Sequence, residues 1–129
     1  MVSLTDLTNA IRASWAADTC FGAAEWTLQN PARGQCVVTA LVVQHFLGGT
    51  LQKYDTMFNG QPENHYANIL PNGQTVDLTG HQYPEAQKLI PSEVNLHGYR
   101  DVIDKMMHEP STVAKYQLLL ERVNQKLGA

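Results

Sequence analysis

The chain has 129 residues, 12 acidic against 9 basic, and a net charge of −3 at pH 7. Its charged residues, 16% of the total, are scattered in both signs, so no Lys/Arg run neutralises phosphates and nucleic acid is not an expected partner. The longest apolar run, 37–47, is interrupted by Thr39, Gln44 and His45 and is far too short to span a bilayer, so no membrane partner is expected either.

Residues 1–11 carry Asp6 and lack both the basic and the apolar region of a signal peptide, so the expected address is cytoplasmic. In a reducing compartment Cys20 and Cys36 are expected as free thiols. Ser3 followed by Asp6 marks a helix start, and Leu4, Leu7, Ile11 and Trp15 recur at helical spacing, which predicts a first helix over 4–16. From 17 to 34 the periodicity dissolves into loop signals at Phe21-Gly22, Asn30-Pro31 and Arg33-Gly34, with Trp26 and Leu28 as apolar anchors. Long ordered loops in small domains tend to be functional.

Residues 36–47 are apolar on nearly every side and end at Gly48-Gly49, which predicts a buried central helix. The β-branched content leaves a buried strand as the rival reading. Three strands follow at 50–58, 65–70 and 74–79, joined by Asn59-Gly60 and Pro71-Asn72-Gly73 into an antiparallel meander. Short helical pieces are expected near 85–89 and 99–108. A stronger helix over 111–126 has Val113, Tyr116, Leu120, Val123 and Leu127 on one face, with Pro110 at its start. With no repeat or linker, 1–129 reads as a single α+β domain: a central helix bearing Cys36 on a small antiparallel sheet, flanked by N- and C-terminal helices.

The chemistry-bearing residues are Cys36, His65 and Asp77. A helix N-terminus favours a thiolate, so Cys36 is placed to be a nucleophile; the competing reading is a small buried apolar residue. Whether His65 and Asp77 meet depends on hairpin register. A two-residue Asn72-Gly73 turn puts them on opposite faces of the sheet, whereas a three-residue Pro71-Asn72-Gly73 turn puts them diagonally on one face. Proline favours the second, because it has no N–H to give the strand pair and its fixed φ suits the first central position of a type I turn.

Acyl transfer also needs donors for a developing oxyanion. The Cys36 amide is one, and Asn30, Gln35 and Gln82 are the side-chain candidates, the two ahead of Cys36 being the first choice. A metal site built from Cys20, Cys36, His65, Asp77 and His81 has no paired ligand spacing behind it, so neither metal nor other cofactor is expected. His45, His97 and His108 read as helix-face or loop residues.

Trp26, Asn30-Pro31, Gly34-Gln35-Cys36, residues 39–44, Leu47-Gly48-Gly49, His65-Tyr66 with Asn68, Asp77-Leu78-Thr79 and Gln82 together resemble the YunG family of small bacterial proteins over 15–127. More distantly, Cys36 opening a helix, His65 on a strand and Asp77 before Leu78-Thr79 resemble the core of transglutaminase-like and papain-like proteins. That second resemblance implies a cysteine nucleophile, a histidine base and an orienting aspartate. The expected function is acyl transfer or amide hydrolysis of peptidase, amidase or deamidase type, acting on a peptide, a protein side chain or a small amide. The alternative is a catalytically silent module of the same fold that holds a peptide or small molecule in the Cys36 cleft.

Overall fold

The computed structural model describes residues 2–128. The first helix, α1 (Leu4–Arg12), starts where the Ser3 hydroxyl accepts the Asp6 amide at 3.1 Å, and it buries Leu7, Ala10 and Ile11. It stops short of the expected end at Ala16. The Ser14 hydroxyl donates back to the Ala10 carbonyl at 2.7 Å, and Trp15 leaves the helix so that its indole N–H reaches the buried Thr39 hydroxyl at 2.9 Å. Satisfying a buried indole outweighs one more turn of helix.

The loop that follows contains two short 3-10 turns, Ala17–Thr19 and Ala23–Glu25. The central element is a helix, α2 (Cys36–Leu47), with residues 38–43 buried. It is buried on most sides because the C-terminal helix α4 (Pro110–Gly128) and the sheet both pack against it.

Strands β1 (Thr50–Phe58), β2 (Gln61–Ile69), β3 (Thr75–Val76) and β4 (Ile90–Ser92) form one antiparallel sheet in the order β3-β2-β1-β4. The expected meander is present, but β2 begins earlier than 65 and β3 ends at Val76, leaving Asp77 just past the strand. The helical piece expected at 85–89 does not form; instead the chain returns as β4 beside β1. Pro91 is tolerated in β4 because that strand lies at the sheet edge.

The Pro71-Asn72-Gly73 turn has the three-residue form. Gly73 sits at φ +87° and donates to the Leu70 carbonyl at 2.8 Å, Leu70 in turn donates to the Gln74 carbonyl at 2.9 Å, and Asn68 pairs with Val76. This register places His65 and Asp77 on one face.

The helix expected over 99–108 is shortened to α3 (Val102–Met106), capped by Asp101, and α4 (Pro110–Gly128) opens on its proline. The buried line of α4 runs through Thr112, Leu119 and Val123, with Tyr116, Leu120 and Leu127 at its margins, slightly rotated from the expected face. The main core joins α1, α2, β3 and α4 through Leu7, Ile11, Val38, Val42, Leu119 and Val123. Among the described residues no helix is long and apolar enough to cross a membrane.

Candidate functional site

Cys36 is the first residue of α2, and two features of the preceding loop set it there. Gly34 has φ +72°, and a Cβ at that position would lie 2.4 Å from the Cys20 sulfur and 2.6 Å from the Phe21 carbonyl, so only glycine fits. Gln35 is fully buried, and its carboxamide is used on both sides: Oε1 accepts from Thr19 Oγ1 at 2.8 Å and Nε2 donates to the Ala16 carbonyl at 3.0 Å. No side chain caps the first turn of α2. The half-buried Cys36 thus stands at an uncapped helix N-terminus, where negative charge is favoured.

His65 is wholly buried on β2, opposite Tyr54 of β1 and with the ring edge of Tyr83 packed at 5.3 Å between centroids. Its Nε2 and Asp77 Oδ2 are 2.7 Å apart. Asp77 is held in turn by the Thr79 amide, which donates to Oδ1 at 3.3 Å, and by close packing on Gly80, where a Cβ would stand 2.8 Å from Oδ2. With Nε2–H donating to the carboxylate, the neutral ring carries its lone pair on Nδ1. That nitrogen is buried and makes no hydrogen bond.

Burial pulls the imidazole pKa down, but the Asp77 hydrogen bond and the neighbouring Cys36 sulfur outweigh it and raise the value to about 9. No hydrogen bond joins Nδ1 to the Cys36 sulfur, which acts on the ring as a neighbouring group.

Cys36 lines a cleft of about 270 Å³ whose walls include Phe21, Arg33, Glu63, Tyr66, Gln82 and Tyr83. Of the three oxyanion candidates, Asn30 and Gln35 do not line it. Asn30 donates to the Gln82 carbonyl at 3.1 Å, organising the loop. Gln82 does line the cleft, at 5% exposure. Its Oε1 accepts from Arg33 Nη1 at 3.1 Å and from the Gly34 amide at 3.4 Å, while its Nε2 is buried without a partner. Two donors on one atom fix which end of the amide is oxygen.

Arg33, Glu63 and Tyr83 were not singled out in the sequence. Arg33, 7% exposed, makes a two-pronged pair with Glu63 at 2.5 and 2.6 Å, bonds Glu25 at 3.1 Å and lies 3.6 Å over the Phe58 ring. Glu63 also accepts the Tyr83 hydroxyl. Burial pushes the Glu63 carboxyl up, but Arg33 and Tyr83 together bring it below its ordinary value. The available signal was position: Glu63 stands two residues before His65, hence on the same strand face, and Arg33 adjoins Gly34. Among the described residues no group of three or more His, Cys, Asp or Glu side chains is arranged to hold a metal ion.

This architecture defines an α+β protein with a half-buried cysteine at a bare helix start beside a buried histidine that is paired with a partly exposed aspartate. A family model described as YunG protein matches residues 3–128, and the chain belongs to that family. It is 34% identical over 84 residues to a protein of Bacillus subtilis (strain 168) called "Uncharacterized protein YunG", a match covering 64% of this chain and 66% of that protein's length. No solved structure matches the chain.

Proposed function

We propose that this protein is a thiol-dependent acyl-transfer or amide-hydrolysing protein of transglutaminase/papain-like type, with Cys36 as nucleophile, His65 as base and Asp77 as orienter. The observation that carries the reading is the His65–Asp77 contact of 2.7 Å, which leaves a buried, unpartnered Nδ1 on a ring that also senses the Cys36 sulfur. Asp77 selects the tautomer and stabilises the imidazolium that forms when the ring takes a proton.

In this reading His65, its pKa raised to about 9, already holds the proton on Nδ1 at neutral pH, and the Cys36 sulfur attacks the substrate carbonyl carbon as thiolate. The carbonyl π electrons move onto oxygen, where the Cys36 amide and Gln82 Nε2 are the donors. Collapse expels the amine or thiol, which takes the proton from His65, and leaves an acyl-Cys36 thioester. Water or an acceptor amine then attacks that thioester, His65 removes its proton, and the thiolate is restored. Asn30 and Gln35 act in the scaffold.

The test is a small acyl thioester offered to the protein, with acid quench and intact-mass measurement. An acyl adduct that maps to Cys36 and is absent in Cys36→Ala is the expected result. If the folded protein forms no adduct with thioesters or activated amides, the silent binding module becomes the better description.

A further inference from the structure

The Cys36 cleft does not end at the reacting groups. Phe21, Val37 and Tyr66 are walls both of that cleft and of a second hollow of about 180 Å³ beside it. Val37 directly follows Cys36, so the hollow adjoins the cleft one residue along α2 from the cysteine. The far wall of the hollow is Val94, Val102 and Met106, brought together by the segment after β4 and by α3.

Size and charge restrict what fits. A cavity of roughly 150 Å³ with apolar walls accepts a benzene-sized ring. The charged groups at the rim are one of each sign, Lys105 and Glu109, and the Lys105 ammonium is already engaged by the Asn95 carbonyl at 2.6 Å. Their charges sum to zero, so the hollow has no net charge to draw a charged substrate group, and an ion moved onto its apolar walls would lose hydration.

We propose that this hollow is a specificity pocket for one apolar side chain of Leu, Met or Phe type, carried by a peptide or acyl substrate whose carbonyl is presented to Cys36. The proposal deepens the reading of Cys36 as an acyl-transfer nucleophile and rests on it. The pocket selects the substrate, and the groups around Cys36 perform the chemistry.

Disulfide tethering tests the pocket without requiring turnover. The probes are N-acyl cysteamine disulfides with cysteamine as the second half, their acyl groups being isovaleryl, phenylacetyl or succinyl on linkers of increasing length. The Cys36 thiolate attacks the sulfur carrying the acyl fragment, a mixed disulfide forms, and cysteamine leaves with the electron pair of the broken S–S bond, so no outside oxidant is consumed. Capture is read by intact mass under competition with free thiol.

Isovaleryl and phenylacetyl fragments are expected to be retained on Cys36 at least about 10-fold better than succinyl, the advantage of burying one apolar side chain. Val94→Lys, on a half-buried loop position, is expected to remove that preference; Val94→Gln serves if the lysine variant does not fold. Equal capture of all fragments by the native protein overturns the pocket, as does an apolar preference that survives in a folded Val94 variant. Apolar preference with no acyl adduct from the thioester experiment leaves the pocket standing and removes the catalytic reading. An acyl adduct without apolar preference does the opposite.

Discussion

Cys20 and Cys36 stand near the two ends of one loop and have opposite surroundings. Cys20 is 1% exposed, its thiol donates to the Arg33 carbonyl at 3.0 Å, and burial pushes its pKa up. It packs against Gly34 as a small apolar side chain does. Cys36 is half-buried, opens a helix with no capping side chain, and faces a cleft beside an imidazole. The sequence chemistry of the two is identical. What separates them is that one thiol has a neutral acceptor and no solvent, while the other has a neighbouring imidazole, a helix terminus and an open cleft.

The largest expected effect breaks or confirms that contrast directly. In the native protein at pH 6, iodoacetamide should alkylate Cys36 about 1,000-fold faster than Cys20, and the two rates should converge in denaturant. Peptide mass spectrometry over a time course measures both. Equal native rates, or faster labelling of Cys20, would remove the basis for assigning Cys36 a special role.

The next effect separates the oxyanion from the thiol. Gln82→Ala should slow acyl-Cys36 formation from a thioester by about 100-fold while leaving iodoacetamide alkylation within about twofold, because alkylation develops no oxyanion. Arg33 matters to this result only through the Gln82 Oε1 that it holds. A parallel fall in both rates would mean that Gln82 shapes the cleft instead of stabilising charge.

A smaller effect sharpens the role of the histidine pair. His65→Gln should slow Cys36 alkylation at pH 6 by about 10-fold or more, and Asp77→Asn by about threefold, since the first removes the base and the second disturbs its tautomer. Glutamine is the better replacement because His65 is wholly buried, and truncation to alanine would add the cost of a cavity. Thermal melts should show both variants folded. Unchanged alkylation in folded variants would make His65 and Asp77 structural polar residues.

The hairpin register was legible because proline and glycine act locally: Pro71 cannot donate to a strand pair, and Gly73 accepts the positive φ that closes the turn. From that register the meeting of His65 and Asp77 followed, as did the helix bearing Cys36 from its glycine stop. Strand β4 was not legible, since Ile90-Pro91-Ser92 is short, carries a proline and is a strand only because β1 offers an open edge. The uses of Gln35 and Gln82 were equally hidden. Both are carboxamides near the cysteine, and only the tertiary partners, Thr19 and Ala16 for one, Arg33 and Gly34 for the other, decide which amide keeps a free N–H.

The smallest effect is a dependence of stability on pH that belongs to the cleft and has no counterpart around Cys20. The His65 pKa is raised from 6.5 to about 9 in the folded protein, against burial, by Asp77 and by Cys36. Below pH 6.5 both folded and unfolded chains hold the proton, and the stabilisation is fully present. Between 6.5 and 9 the unfolded chain has released a proton that the folded one retains, so stability should fall as pH rises, by at most about 1.4 kcal/mol per pH unit, and level off above 9. Urea midpoints from pH 6 to 9.5 trace this window. Asp77→Asn removes the strongest group favouring the proton and should flatten the curve, whereas Cys36→Ser should flatten it only in part, which apportions the effect between carboxylate and sulfur. A native curve that is flat or rising across the window would show that His65 is held neutral, and the imidazolium would then have to form only once a substrate is attacked.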